Sequence, residues 1–146
     1  MRLFRLLPLV ILTATISACS DVGLGLVALE LEITAVSEEG APVAGAAVWL
    51  EDHGLPAGTD PVQRRHQVCT TDTGGRCAGA VKYTYSVRRW PWQAGGKDRT
   101  PADRFELSVQ HEERSESLGF LPPLTTEQLH GAKPVSHRGI VESAPK

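Results

Sequence analysis

Alternation with a period of two is the strongest regularity in the chain. In residues 28–36, Leu29, Leu31, Ile33 and Ala35 alternate with Glu30, Glu32 and Thr34, the pattern of a strand with one face in a core and one in water. Ala46, Val48 and Leu50 repeat it, with Trp49 on the opposite face. Residues 64–70 and 76–87 are expected as the two arms of a hairpin, in which Cys77, Val81, Tyr83, Tyr85 and Val87 share parity. Phe105, Leu107 and Val109 point inward from residues 103–112, and further strands are expected at 115–121 and 135–142. Helical spacing is confined to one turn in "LTTEQLHG", residues 124–131. Gly, Pro and Asp punctuate the rest, most densely in 37–45 and in a long loop at 53–62. About seven short strands with turn signals between them predict an all-β fold, an antiparallel Ig-like sandwich.

The beginning of the chain obeys a different rule. Arg2 and Arg5 precede an apolar run, "LLPLVILTATISA", in residues 6–18, the layout of an export signal. As a helix this run would rise about 20 Å, short of the roughly 30 Å hydrocarbon core of a bilayer. Ile16 is too bulky for an ordinary cleavage site of small residues, and Ile16-Ser17-Ala18-Cys19 instead resembles the bacterial lipobox. That resemblance implies a diacylglyceryl group on the Cys19 sulfur, cleavage just before it, and acylation of the freed amine. The expected organisation is a signal at 1–18, a lipidated tether at 19–27 and a sandwich at 28–146. One acyl chain holds a protein only marginally, at about 0.8 kcal/mol per buried methylene, whereas two or more give lasting residence. Ser20, second in the mature chain, implies by resemblance to lipoprotein sorting an outer-membrane anchor facing the periplasm.

Charge and cysteine count narrow the rest. The signal takes two of the 15 basic residues and none of the 17 acidic ones, leaving −4 on the mature chain, which argues against nucleic acid. With Cys19 lipidated, Cys69 and Cys77 remain; an oxidising compartment and the turn-forming "TTDTGGR" between them predict a disulfide. Cys-x7-Cys is not a zinc spacing and the five His are scattered, so no metal or other cofactor is expected.

"EEGAPVAGAAVWLE" followed by "CTTDTGGRC" resembles the start of a transthyretin-like or carboxypeptidase-regulatory-like domain, over about residues 29–88. The resemblance implies the sandwich fold and is nearly silent on function. The hydroxyisourate hydrolases of that fold use a His in the first strand, an Arg, and a carboxy-terminal Tyr-Arg-Gly-Ser. Here the first strand has no His, and His137-Arg138-Gly139-Ile140 keeps only the Arg and Gly, so Arg138 and Gly139 are expected in an ordinary edge strand. No Gly-x-Ser-x-Gly elbow, Walker loop or His-Glu-x-x-His is present. Glu112 and Glu113, adjacent in a strand, would face opposite ways, and His53 beside Asp52 is expected as a solvated turn pair.

The segment least explained by packing is "SVRRWPWQAGGKDR" at 86–99, where one or both indoles either fold back to cover the end of the sandwich, with Arg stems over them, or form a contact surface. Pro91 interrupts a paired strand, and Arg88, Arg89, Trp90 and Trp92 are of the types enriched at binding hot spots. These four are the expected contact residues of a non-catalytic module that binds a protein partner in the cell envelope. The rival readings are a hydrolase related to the hydroxyisourate hydrolases and a purely structural envelope lipoprotein.

Overall fold

A computed structural model describes residues 21–56, 58–89 and 100–142. Its elements in chain order are β1 (Asp21–Ser37), β2 (Ala47–Asp52), α1 (Pro61–Arg64), β3 (Arg65–Thr70), β4 (Arg76–Arg89), β5 (Phe105–His111), β6 (Arg114–Phe120), α2 (Thr126–Leu129) and β7 (Val135–Val141). They form an all-β sandwich of two sheets, ordered β4-β1-β7 and β3-β2-β5-β6. The alternation read from sequence is the alternation of burial: Leu29, Leu31, Ile33, Ala35, Val48, Leu50, Phe105, Leu107 and Val109 are all core residues. Each such Val, Leu, Ile or Phe side chain contributes about 1.5–3 kcal/mol when fully buried. The described core runs from Val27 to Val141.

The fold departs from expectation in four places. β1 starts at Asp21, so residues expected as a tether are strand: Asp21–Val27 pair with Arg89–Tyr83. Gly23 and Gly25 blank the apolar/polar contrast there, and the pairing comes from the long β4 opposite. β7 runs parallel to β1, from Leu31↔Val135 to Ser37↔Val141, because the chain leaves β6, passes through α2 and enters the other sheet. All other strand pairs among the described residues are antiparallel. β3 and β4 are not a hairpin ladder, since β3 pairs with β2 and β4 with β1. The turn between them is a corner where the chain changes sheets. Finally, the 53–62 loop ends in the helical turn α1, which Asp60 caps by accepting from the Val62 amide at 2.9 Å.

Glycines close both long sides of the sandwich. Gly79 of β4 lies so near Val68 of β3 that an added Cβ would overlap the Val68 carbonyl. On the other side Gly139 of β7 sits under the Leu118 side chain of β6, with space for a Cβ reduced to 2.6 Å. Beside it, His137 Nε2 lies 3.0 Å from the Leu118 carbonyl oxygen. Arg138 and Gly139 therefore do lie in an edge strand, but one tied to the neighbouring sheet.

Candidate functional site

Two ends of the sandwich concentrate polar groups. At the first, the segments that carry the transthyretin-like resemblance meet. The Thr71 hydroxyl donates to Val43 O (2.7 Å) and accepts from the Ala46 amide (2.9 Å), while the Thr71 amide donates to Ala46 O and its carbonyl accepts from Gly45 N–H. Asp72 accepts from the amides of Gly74 and Arg76, at 2.8 and 3.0 Å. Gly75, at φ +70°, offers its carbonyl to the Ala35 amide at 2.8 Å, and Val43 N–H returns a bond to Ala35 O. A three-way joint of β1, the 37–45 turn and the 71–75 corner results. These bonds all fix backbone positions, so the motif encodes a joint.

At the opposite end Asp52 closes β2. It continues the inward parity of Val48 and Leu50 and is fully buried, which corrects its expectation as half of a solvated turn pair. Burying a carboxylate is costly unless it is paired and hydrogen-bonded. Here Oδ1 accepts from Gly54 N–H (2.8 Å) and Arg104 Nε–H (3.1 Å), and Oδ2 from Arg104 Nη2–H (3.1 Å) and the Tyr83 hydroxyl. The guanidinium is thus bidentate, the strongest geometry for such a pair. His66 of β3 stacks on the Tyr83 ring, with centroids 4.5 Å apart. Residues from β2, β3, β4 and the residue that precedes β5 are joined in this way across both sheets. His53 turns away from Asp52, its Nε2 lying 3.0 Å from Glu106 Oε2, whose other oxygen accepts from the Ser117 hydroxyl at 2.7 Å. Asp52 and His53 therefore do not form an acid–base dyad.

Grooves open on two faces. At the joint end, a groove of about 430 Å³ has Val43, Val109 and Val141 among its lining, with His111, Arg114 and Glu116. The outer face of the three-stranded sheet holds a second, of about 640 Å³, lined in part by Thr34, Arg76 and Arg138. Both arginines stand in register with Thr34, one from each neighbouring strand, so two exposed guanidinium groups flank a hydroxyl. Glu32 of the first strand and Asp72 line the same groove, so its two cations are matched by two carboxylates.

Glu112 and Glu113, expected within a strand, are the two residues of the β5–β6 turn between the paired His111 and Arg114, with Glu112 at φ +57°. Among the described residues no group of three or more His, Cys, Asp or Glu is placed to hold a metal ion. Cys69 and Cys77 stand at disulfide distance, with Cα atoms 5.9 Å apart, and join β3 to β4 across the corner. Closing a loop of this size is worth about 2.5 kcal/mol in the chain-entropy model. Reduction is therefore expected to lower unfolding free energy in urea by about that amount while the far-ultraviolet spectrum keeps its strand signature. A change below about 0.5 kcal/mol would remove the bridge as a stabilising element.

Of the other expected site residues, Arg88 and Arg89 end β4, in register with Val22 and Asp21. Cys19, Trp90 and Trp92 lie outside the described residues. Sequence reading missed the Asp52–Tyr83–Arg104 cluster, although its signal was present: Asp52 holds the same parity as Ala46, Val48 and Leu50. No family model, no curated protein and no solved structure matches this chain.

Proposed function

We propose that this is a lipid-anchored, periplasm-facing lipoprotein whose transthyretin-like sandwich serves as a non-catalytic binding or assembly module for a protein of the cell envelope. The observation that carries the binding reading is the groove at the joint end, of about 430 Å³ and lined by both apolar and charged residues, a size within the range of ligand clefts. His111, Arg114 and Glu116 supply polar groups beside Val43, Val109 and Val141, and a cleft that mixes apolar and polar lining can give affinity and orientation together. The buried polar cluster at the other end supports a scaffold in place of catalysis. Its carboxylate oxygens are committed to Arg104, Tyr83 and Gly54, which hold the two sheets in register.

The anchor reading rests on Arg2, Arg5, the apolar run and the box ending in Cys19. No helix among the described residues is long and apolar enough to cross a membrane. Mass spectrometry of the mature amino terminus is expected to find Cys19 first and carrying acyl chains, and Cys19→Ser to yield an uncleaved or released form. An unmodified amino terminus at any other residue would refute the anchor. For the groove, a photocrosslinker at position 111 in intact membranes is expected to give a discrete adduct that Arg114→Glu abolishes. The same probe at Ser108, outside the groove, serves as the reference, and equal adducts at both positions would refute the assignment.

A further inference from the structure

Three carboxylates and one guanidinium line the groove at the joint end: Glu112, Glu116, Glu142 and Arg114. None of the four side chains hydrogen-bonds or ion-pairs with another described residue. Arg114 and Glu116 carry the sharpest constraint. They stand two residues apart on β6, in register with His111 and Val109, so alternation sets both on one face with Cα atoms about 7 Å apart. Opposite charges so placed could neutralise each other, and here they do not. One oxygen of Glu116, Oε2, is also buried without a hydrogen-bond partner. A carboxylate oxygen withdrawn from water with no donor is unfavourable, and the fold itself supplies no donor.

We propose that the groove takes an extended segment of a partner protein that presents a basic and an acidic side chain two residues apart, the base on Glu116 and the acid on Arg114. This rests on the groove being the binding surface and adds the chemistry of what it binds. Spacing selects the extended segment, because side chains two residues apart in a strand share a face and repeat about every 7 Å, the interval from Arg114 to Glu116. A Lys or Arg supplies the N–H donors that Glu116 lacks, and Asp or Glu supplies the paired oxygens that a guanidinium takes bidentately. The χ3 torsion of a Glu side chain is soft, so either oxygen of Glu116 can turn to that donor. Glu112 and Glu142 bias the groove toward cations, which favours encounter with the basic side chain, while Arg114 fixes the direction in which the segment lies. Val43, Val109 and Val141 offer apolar contact beside the charges. An ion of one sign would satisfy only half of this pair.

The test uses the purified full chain and three pentapeptides, Ala-Lys-Val-Glu-Ala, Ala-Lys-Val-Lys-Ala and Ala-Glu-Val-Glu-Ala, with blocked ends and an uncharged dye. Fluorescence anisotropy is expected to rank the mixed peptide first, ahead of each single-sign peptide by about tenfold, the worth of one hydrogen bond to a charged group. Glu116→Gln and Arg114→Gln should each remove most of that advantage. Arg114→Glu should instead bring the two-lysine peptide first, and Glu116→Lys the two-glutamate peptide. A preference gained in a reversed variant does not arise from misfolding, so these two keep the outcome decisive. A parent chain that binds none of the peptides, or all three within about twofold, would overturn the proposal, as would reversed variants that keep the parent's ranking. The groove itself is read separately by crosslinking in membranes: a discrete adduct from position 111 without any charge preference fails this proposal alone, whereas equal adducts from positions 111 and 108 fail the groove beneath it.

Discussion

Asp52→Ala is expected to destabilise the domain by about 3–5 kcal/mol, a large share of the roughly 5–15 kcal/mol that holds a domain of this size folded. The loss does not come from the side chain's own burial. Removing the carboxylate takes the bidentate Asp52 partner from the Arg104 guanidinium, only 12% exposed, and the Asp52 oxygens from the Tyr83 hydroxyl and the Gly54 amide. Breaking a buried pair by removing one partner costs more than the intact pair contributes. Two further variants probe the same cause. Tyr83→Phe removes one donor and should cost about 1 kcal/mol, and Asp52→Leu combined with Arg104→Leu should recover most of the loss, because it removes both charges. Urea unfolding gives all of these values. A loss below about 1 kcal/mol for Asp52→Ala would show that the cluster is solvated in solution.

Gly75→Ala should cost about 2–5 kcal/mol, the sum of a left-handed backbone penalty of about 1–2 kcal/mol and a steric one of about 1–3 kcal/mol. The φ of +70° disfavours any side chain, and the new Cβ would overlap Ala35 O and press on Pro42 Cβ and Val43 N, both at 3.0 Å. Those neighbours are mostly backbone and cannot swing away. Gly74 supplies the internal reference, since a Cβ there meets only the Asp72 carboxylate, at 3.2 Å, so Gly74→Ala should change stability by about 1 kcal/mol or less. Similar melting temperatures for the two variants would contradict the three-way joint.

Legibility in the sequence tracked burial contrast. Leu29 to Ala35 and Phe105 to Val109 were readable because each inward apolar residue alternates with a polar or small one. The start of β1 was not, because glycine at 23 and 25 carries no such contrast. Asp52 was misread for a related reason: hydrophobicity assigns a carboxylate to water, whereas its parity placed it inside, and the partner that makes burial tolerable, Arg104, is far away in the chain. Sheet membership was hidden too. "TTDTGGR" reads as a turn whether the strands it joins share a ladder or belong to different sheets, and only pairing to β2 and β1 decides that. The joint around Thr71 was visible as a motif, while its bonds to Val43 and Ala46 depend on the fold.

The length of β1 has a mechanical consequence. Its 17 residues span about 56 Å, through the middle of a sheet flanked by β4 and β7. Ladder hydrogen bonds lie perpendicular to the strands, so tension applied along β1, between its first residues and the far joint, loads that ladder in shear and distributes the force over the fourteen pairs with β4. Pulling Asp21 sideways from Arg89 would instead open the pairs one at a time, as a zipper does. Single-molecule extension along these two directions should therefore give a high rupture force for the first and a low one for the second, making β1 a strut that resists axial load while its tip yields to lateral load.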